Sequence, residues 1–362
     1  MKKSKLAATT ASLIAGTALA ISMFPSQSAP LSSDDRQLPT FDFNRLTQAD
    51  LNQDYDHQQP QPGNLVTFGD SIFANPTAGD AVFGIASRKI PDQTVAKTIR
   101  RADPNINPQG CAQGQPSIPK NLAADLGVPL NDYSCPGATV YHEGNSASPS
   151  SPGQQKGNTL ATQVEHAIQD NTLNPDTRYV AIQGGYNDIY NNYLKPSGEL
   201  PFDEQLAQAT NQPTQKAAFA EAMDAVLNRI KEVAPNAQIK TIGYHTITED
   251  TPSGWQCLYH LGEGTEANNK WDITYAFPVY WDTRGEINTN NWLREAADRH
   301  DGVEYVDTRE FSKDHGECAA PEERWVGGIL IDTTTGEHNL ALHLTDTGID
   351  QVSGHIASNY QR

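Results

Sequence analysis

Basic residues are scarce in this chain: 26 lysines and arginines stand against 44 aspartates and glutamates in 362 residues, a formal net charge of −18. Binding to nucleic acid or to anionic lipid relies on Lys and Arg to neutralise phosphate, so this balance excludes a nucleic-acid partner and adhesion to an anionic surface. The plainest use of the acidic excess is solubility. Cysteine is sparse as well, at Cys111, Cys135, Cys257 and Cys318 only. No pair has the close Cys-x-x-Cys spacing of a structural zinc site, and no His, Cys, Asp or Glu cluster has metal-ligand spacing, so neither a metal nor another cofactor is expected. Internal repeats and coiled-coil heptads are missing too, which excludes solenoids and long fibrous bundles.

A long uninterrupted apolar run is also lacking. The nearest is Leu6 to Phe24, which Thr9, Thr10, Ser12, Gly16 and Thr17 break up and which is short for a spanning helix. Lys2, Lys3 and Lys5 precede it, and Ser26, Ser28 and Ala29 follow. This order reads as an export signal over residues 1–29, removed in the mature chain, with no stable membrane span afterwards. Losing those three lysines takes the net charge from −18 to −21. Residues 30–63 are polar, carry Pro30, Pro39, Pro60 and Pro62, and read as an extended arm. Residues 64–362 are expected to form one large domain, secreted or held in the cell envelope, and monomeric. Four cysteines in an exported chain predict disulfides with three alternative pairings; nearness in sequence suggests Cys111 with Cys135 and Cys257 with Cys318.

Within that domain short β-prone runs alternate with helical ones. Leu65–Phe68, Arg178–Ile182, Gln238–Ile242 and Val303–Val306 read as strands. Lys216–Val233, Trp292–Arg299 and Asp346–Tyr360 carry apolar residues at helical spacing. Such alternation predicts an α/β fold, a three-layer sandwich with a central parallel sheet flanked by helices. Two stretches break the pattern. Residues 141–158 are rich in Gly, Ser and Pro and read as a loop. Residues 246–292 form an insertion carrying Trp255, Tyr259, Trp271, Tyr275, Phe277, Tyr280, Trp281 and Trp292, which either lines a substrate cleft or builds a small local core.

The first strand ends in Gly69-Asp70-Ser71, a polar nucleophile at the carboxyl end of a buried-looking strand, where open α/β sheets carry chemistry. Attack on an ester carbonyl needs a hydroxyl nucleophile, a base for its proton and donors aimed at the oxyanion. Ser71, Gly137, Asn187 and His343 supply such a set. Asp70 is as readily a cap for the turn as a chemical group, Asp188 reads as a brace for the turn after Asn187, and His245 reads as an ordinary surface or satisfied core histidine.

Four blocks carry a family resemblance: Phe68-Gly69-Asp70-Ser71-Ile72, Tyr133-Ser134-Cys135-Pro136-Gly137-Ala138-Thr139, Gly185-Tyr186-Asn187-Asp188 and His343-Leu344-Thr345-Asp346-Thr347-Gly348. In this order they resemble the SGNH hydrolases, or GDSL lipase/esterase family, across almost the whole mature chain. The resemblance implies a flavodoxin-like SGNH fold. It makes Ser71 the nucleophile and His343 the general base, with the Ser71 N–H, the Gly137 N–H and the Asn187 amide as oxyanion donors. The family usually sets an Asp three residues before the histidine, where this chain has Leu340. Some secreted actinobacterial members are similar in lacking that Asp and use a backbone carbonyl, which makes the Leu340 carbonyl the expected partner of His343 Nδ1. That subgroup also resembles this chain in Cys135 ahead of Gly137 and in His315-Gly316-Glu317-Cys318 followed by Trp325, which favours the Cys111–Cys135 pairing. The implied activity is hydrolysis of a carboxylic ester, drawn from lipids, acylated glycans or small esters. Its rivals are acyl transfer to a cell-envelope alcohol and a non-catalytic envelope-binding role.

Overall fold

The computed structural model describes residues 55–90, 92–141, 158–188, 213–248, 255–262, 272–278, 280–320, 322–328, 331–332 and 340–362. The expected export signal, most of the arm and the stretch at 142–157 lie outside them.

Leu65–Phe68 forms β1, and all four residues are buried. A strand covered on both faces reads as a continuous apolar run and must find backbone partners on either side. It pairs in parallel with β2 (Leu130–Asp132) and β3 (Tyr179–Ile182), Leu65 opposite both Leu130 and Tyr179. β4 (Gln238–Ile242) and β7 (Val303–Val306) complete an all-parallel sheet in the order β2-β1-β3-β4-β7. From β1 to β2 the chain steps one way across the sheet; every later step goes the other way. Right-handed crossovers therefore put α4 (Ile118–Leu126) on one face and α5 (Leu160–Gln169), α6 (Pro213–Val233) and α7 (Tyr280–Asp298) on the other. Consistent with this, α6 packs on α5 and α7, whereas α4 packs on the closing helix α9 (Asp346–Tyr360).

The expected α/β three-layer architecture is the one observed. α6 turns Phe219, Met223, Val226, Leu227 and Ile230 inward, all fully buried, and truncating one to Ala removes about 2–5 kcal/mol. The helix read as Trp292–Arg299 starts at Tyr280 instead. Its first half is missed by apolar spacing because its inward face is polar: Thr283, Glu286, Thr289 and Asn290 are buried. Glu286 accepts from the backbone of Ile247 and Thr248 and from Arg309 Nε, and Asn290 accepts from the Tyr244 N–H.

The rest of the 246–292 insertion includes a hairpin, β5 (Trp255–Gly262) and β6 (Asp272–Pro278), with β8 (Ile331–Asp332) parallel to β5 in a three-stranded sheet. Cys257 in β5 is bonded to Cys318. Of the insertion's eight aromatic residues the side chain described is that of Trp292. It is 5% exposed with its ring 5.4 Å from Phe219, which corrects both readings for this residue: it belongs to the main core.

Candidate active site

The carboxyl end of β1 leads straight into the Ser71 turn, and the backbone there is held from several sides. Gln163 on α5 accepts from the Gly69 N–H and donates to the Gly69 carbonyl, both at 2.9 Å. A Cβ on Gly69 would fall 2.7 Å from Phe73 Cβ, so only glycine fits. Asp70 caps the short helix α1 (Ser71–Ala74) by accepting the Ile72 N–H at 2.9 Å, as the capping reading expected. Ser71 is half-buried at the first position of that turn. Burial pushes the Asp70 carboxyl up to about 6; the nearby Asp188 charge adds to the rise, and donors from Tyr244, Ile72 and Phe73 oppose it.

The second block is built against the first. The Cys135 N–H donates to the Gly69 carbonyl at 2.9 Å, and Cys135 is bonded to Cys111. Both disulfides are therefore the pairs suggested by nearness in sequence. Gly137 has φ +79°, left-handed backbone that a side chain would strain. Asn158 Nδ2 donates to the Pro136 carbonyl at 2.9 Å. The third block follows β3 and is tied to the second: Asn187 Nδ2 donates to the Ala138 carbonyl at 2.9 Å. Asp188 accepts the Val140 and Tyr141 N–H groups at 2.7 and 2.9 Å. Its brace thus reaches the chain after Gly137, and the turn beyond Asp188 lies outside the described residues.

His343 arrives from the far end of the sequence. Tyr360 closes α9 with its hydroxyl on the Val180 carbonyl, near the start of β3. Fifteen residues of helix carry the chain about 22 Å back toward the strands' carboxyl ends, which is the edge where Ser71 and Asn187 sit. Leu342, just before the histidine, has φ +64°, a strained conformation for leucine. Cross-strand bonds hold it: Leu342 N–H to Gly327 carbonyl at 3.0 Å, Gly327 N–H to His343 carbonyl at 2.9 Å, and Thr345 N–H to Trp325 carbonyl at 2.8 Å.

His343 Nδ1 lies 2.8 Å from the Ala341 carbonyl. The partner is thus one residue on from the expected Leu340, whose carbonyl instead accepts the His343 N–H at 3.3 Å. The left-handed turn at Leu342 folds the ring back onto the nearer carbonyl. His245, beyond the carboxyl end of β4, is 1% exposed. Burial first, then the proximity of His343, pulls its pKa down to about 3. It is a core histidine, not a surface one. Among the described residues neither ring nitrogen meets a partner in good hydrogen-bond geometry, although the Leu342 backbone lies close enough to oppose the fall slightly. Among the described residues no group of three or more His, Cys, Asp or Glu is placed to hold a metal ion, and no helix is long and apolar enough to cross a membrane.

Sequence reasoning missed Gln163 and Tyr244. A glutamine inside a helix and a tyrosine past a strand carry no local signal for the loops they hold.

A doubly wound parallel sheet with polar loops knitted together at its carboxyl edge defines an α/β protein whose candidate site lies at the topological switch between β1 and β3. Residues 67–350 match the GDSL-like Lipase/Acylhydrolase family, and the chain belongs to it. No curated protein matches the chain. Among solved structures it is similar to phospholipase A1 from Streptomyces albidoflavus, at 15% identity and TM-score 0.48 over 83% of this chain and 100% of that one. It is also similar to an extracellular lipase from Streptomyces rimosus, at 17% identity and TM-score 0.46 over 82% and 99%. A carbohydrate esterase family 2 enzyme from Corynascus thermopiles (Myceliophthora fergusii) aligns at 13% identity and TM-score 0.40 over 84% and 67%.

Proposed function

We propose that the chain is a secreted serine esterase or lipase that cleaves carboxylic esters through an acyl-enzyme on Ser71, with a Ser71–His343 dyad of the secreted actinobacterial type. The observation that carries the reading is the bonding of three distant blocks at one sheet edge: Cys135 N–H to Gly69 carbonyl and Asn187 Nδ2 to Ala138 carbonyl, both at 2.9 Å. These bonds support the reading because they tie together the segments that carry Ser71, Gly137 and Asn187.

In this reading Ser71 Oγ attacks the ester carbonyl as His343 Nε2 takes its proton. The Ser71 N–H, the Gly137 N–H and the Asn187 amide stabilise the tetrahedral oxyanion. Collapse breaks the bond to the alcohol, which leaves with the proton from His343, and water then releases the acid by the same steps. A carbonyl on Nδ1 fixes the proton there and leaves Nε2 unprotonated, the tautomer a base requires. The Ala341 carbonyl serves that role at 2.8 Å in place of a carboxylate.

A panel of p-nitrophenyl esters from acetate to palmitate, run beside phospholipid and acetylated-glycan release, tests the activity and names the substrate class. Ser71→Ala and His343→Ala are expected to lose about 10³-fold or more, while Asp332→Asn and Glu337→Gln, which remove the two carboxylates that most closely precede His343 in sequence and could orient it instead of a carbonyl, retain most activity. Large losses in either of the last two, with the fold intact, overturn the dyad. Product analysis with added alcohol separates hydrolysis from acyl transfer.

A further inference from the structure

Tyr244 follows β4 and has no part in the four blocks, yet it touches two of them. It is fully buried. Its hydroxyl donates to Asp70 Oδ2 at 2.5 Å and accepts the Tyr186 N–H at 3.3 Å. A phenol has one proton to give, so both bonds are served by a single oxygen standing between the cap of the Ser71 turn and the residue before Asn187. The ring lies 5.4 Å from that of Tyr186.

The tyrosine is itself fixed. Its N–H donates to Asn290 Oδ1 at 2.8 Å on α7, and the preceding Gly243 carbonyl accepts from Gln183 Nε2 at 2.8 Å and from Thr308 Oγ1 at 2.5 Å. A Cβ on Gly243 would meet Asn290 Oδ1 and the Tyr305 hydroxyl at 2.5 Å each, so the close packing against α7 and β7 requires glycine here.

We infer that Tyr244 is a positioning residue, a rigid strut that sets the nucleophile turn against the Asn187 donor through Asp70 and the Tyr186 N–H. The inference rests on the esterase reading above and deepens it. Phenylalanine fills the same space but leaves a buried carboxylate oxygen and a buried N–H without this partner. A donor or nucleophile displaced by about 1 Å loses on the order of a hundredfold in rate.

Tyr244→Phe is therefore expected to lower kcat about tenfold to a hundredfold with KM changed less than about twofold, at an unchanged circular dichroism spectrum. The groups facing the Asp70 carboxyl are Tyr244, the Asp188 charge and the Ile72 and Phe73 N–H groups. Removing the phenol donor leaves Asp188 repulsion less opposed, so the acid limb of the kcat profile moves to higher pH. Because Tyr244 acts through Asp70, the double variant Tyr244→Phe/Asp70→Asn is no slower than the slower single one; additive losses overturn the strut. Wild-type kcat and pH profile in folded Tyr244→Phe overturn it as well. If that variant does not fold, Asp70→Asn alone decides: slowed kcat with an acid limb that loses the Asp70 share and keeps that of His343 supports the strut, and wild-type behaviour overturns it. Labelling of Ser71 by a fluorophosphonate separates the two ideas. Labelled wild type with an unaffected Tyr244→Phe sinks the strut alone, whereas failure of folded wild type to label sinks the hydrolase reading and the strut with it.

Discussion

His245 and Asp70 show how burial sets the protonation of single groups near this site, and in opposite directions. The His245 pKa falls to about 3 from 6.5. The unfolded chain therefore takes up that proton below about 6.5 while the folded chain refuses it until about 3, and the stability His245 lends is full above pH 6.5 and lost as the pH falls. Asp70 and Asp132 rise from 3.8 to about 6, each chiefly by burial. For them the folded chain keeps protons that the unfolded chain releases, so their contribution is full below about pH 4 and lost as the pH rises through about 6. The two effects oppose each other between pH 4 and 6, and a variant is needed to separate them. His245→Phe removes the histidine's share. Its stability at pH 5 relative to pH 7 is expected to exceed the wild-type difference by about 2 kcal/mol, the cost of holding a neutral histidine one and a half pH units below 6.5. Urea unfolding at the two pH values measures this, and an equal difference in both proteins would mean that His245 titrates normally.

Elements differ in how plainly the sequence announces them, and the reason is which face each one buries. β1, β4, β7 and α9 have the bounds expected because each carries apolar residues that the fold buries, among them Ile239 and Ile242 in β4 and Val303 and Val306 in β7. The helices α2 (Ala78–Lys89) and α3 (Gln93–Ala102) were not anticipated: in α2 Val82 and Phe83 are 64% and 56% exposed, so its apolar residues do not trace one inward face, and α3 buries Ala96 and Arg100 while Val95 is 47% exposed. Of the candidate site, the four blocks stood out because their chemistry recurs as short strings. Gln163, Tyr244 and the Ala341 carbonyl did not, since each acts through a fold-dependent contact between segments or a local backbone turn. The Cys111–Cys135 bond belongs to this level, because it braces the chain that presents Gly137. It closes 24 residues, which by loop entropy is worth about 3.5 kcal/mol. A Cys111→Ser/Cys135→Ser protein is expected to lose stability of that order and also to fall in kcat, whereas the Cys257→Ser/Cys318→Ser protein, whose bond ties β5 to a different segment, loses stability with kcat nearly kept. Equal kcat in all three proteins, after folding is verified, would remove the bracing role.

For the molecule as a whole, charge governs what it can approach. A net charge of −18 repels an anionic surface over about 30 Å at 0.01 M ionic strength and only about 3 Å at 1 M. Repulsion acts on encounter and leaves the chemistry proposed for Ser71 untouched, so its signature is a salt effect that depends on how the ester is presented. Hydrolysis of a small neutral ester is expected to be nearly independent of salt. The same acyl group presented in anionic vesicles is expected to be cleaved slowly at low salt and faster as salt rises, while zwitterionic vesicles give a flat profile. Initial rates on the three substrates across that salt range decide the matter: faster cleavage of anionic vesicles at low salt would reveal a local basic docking patch strong enough to overcome the charge of the whole chain.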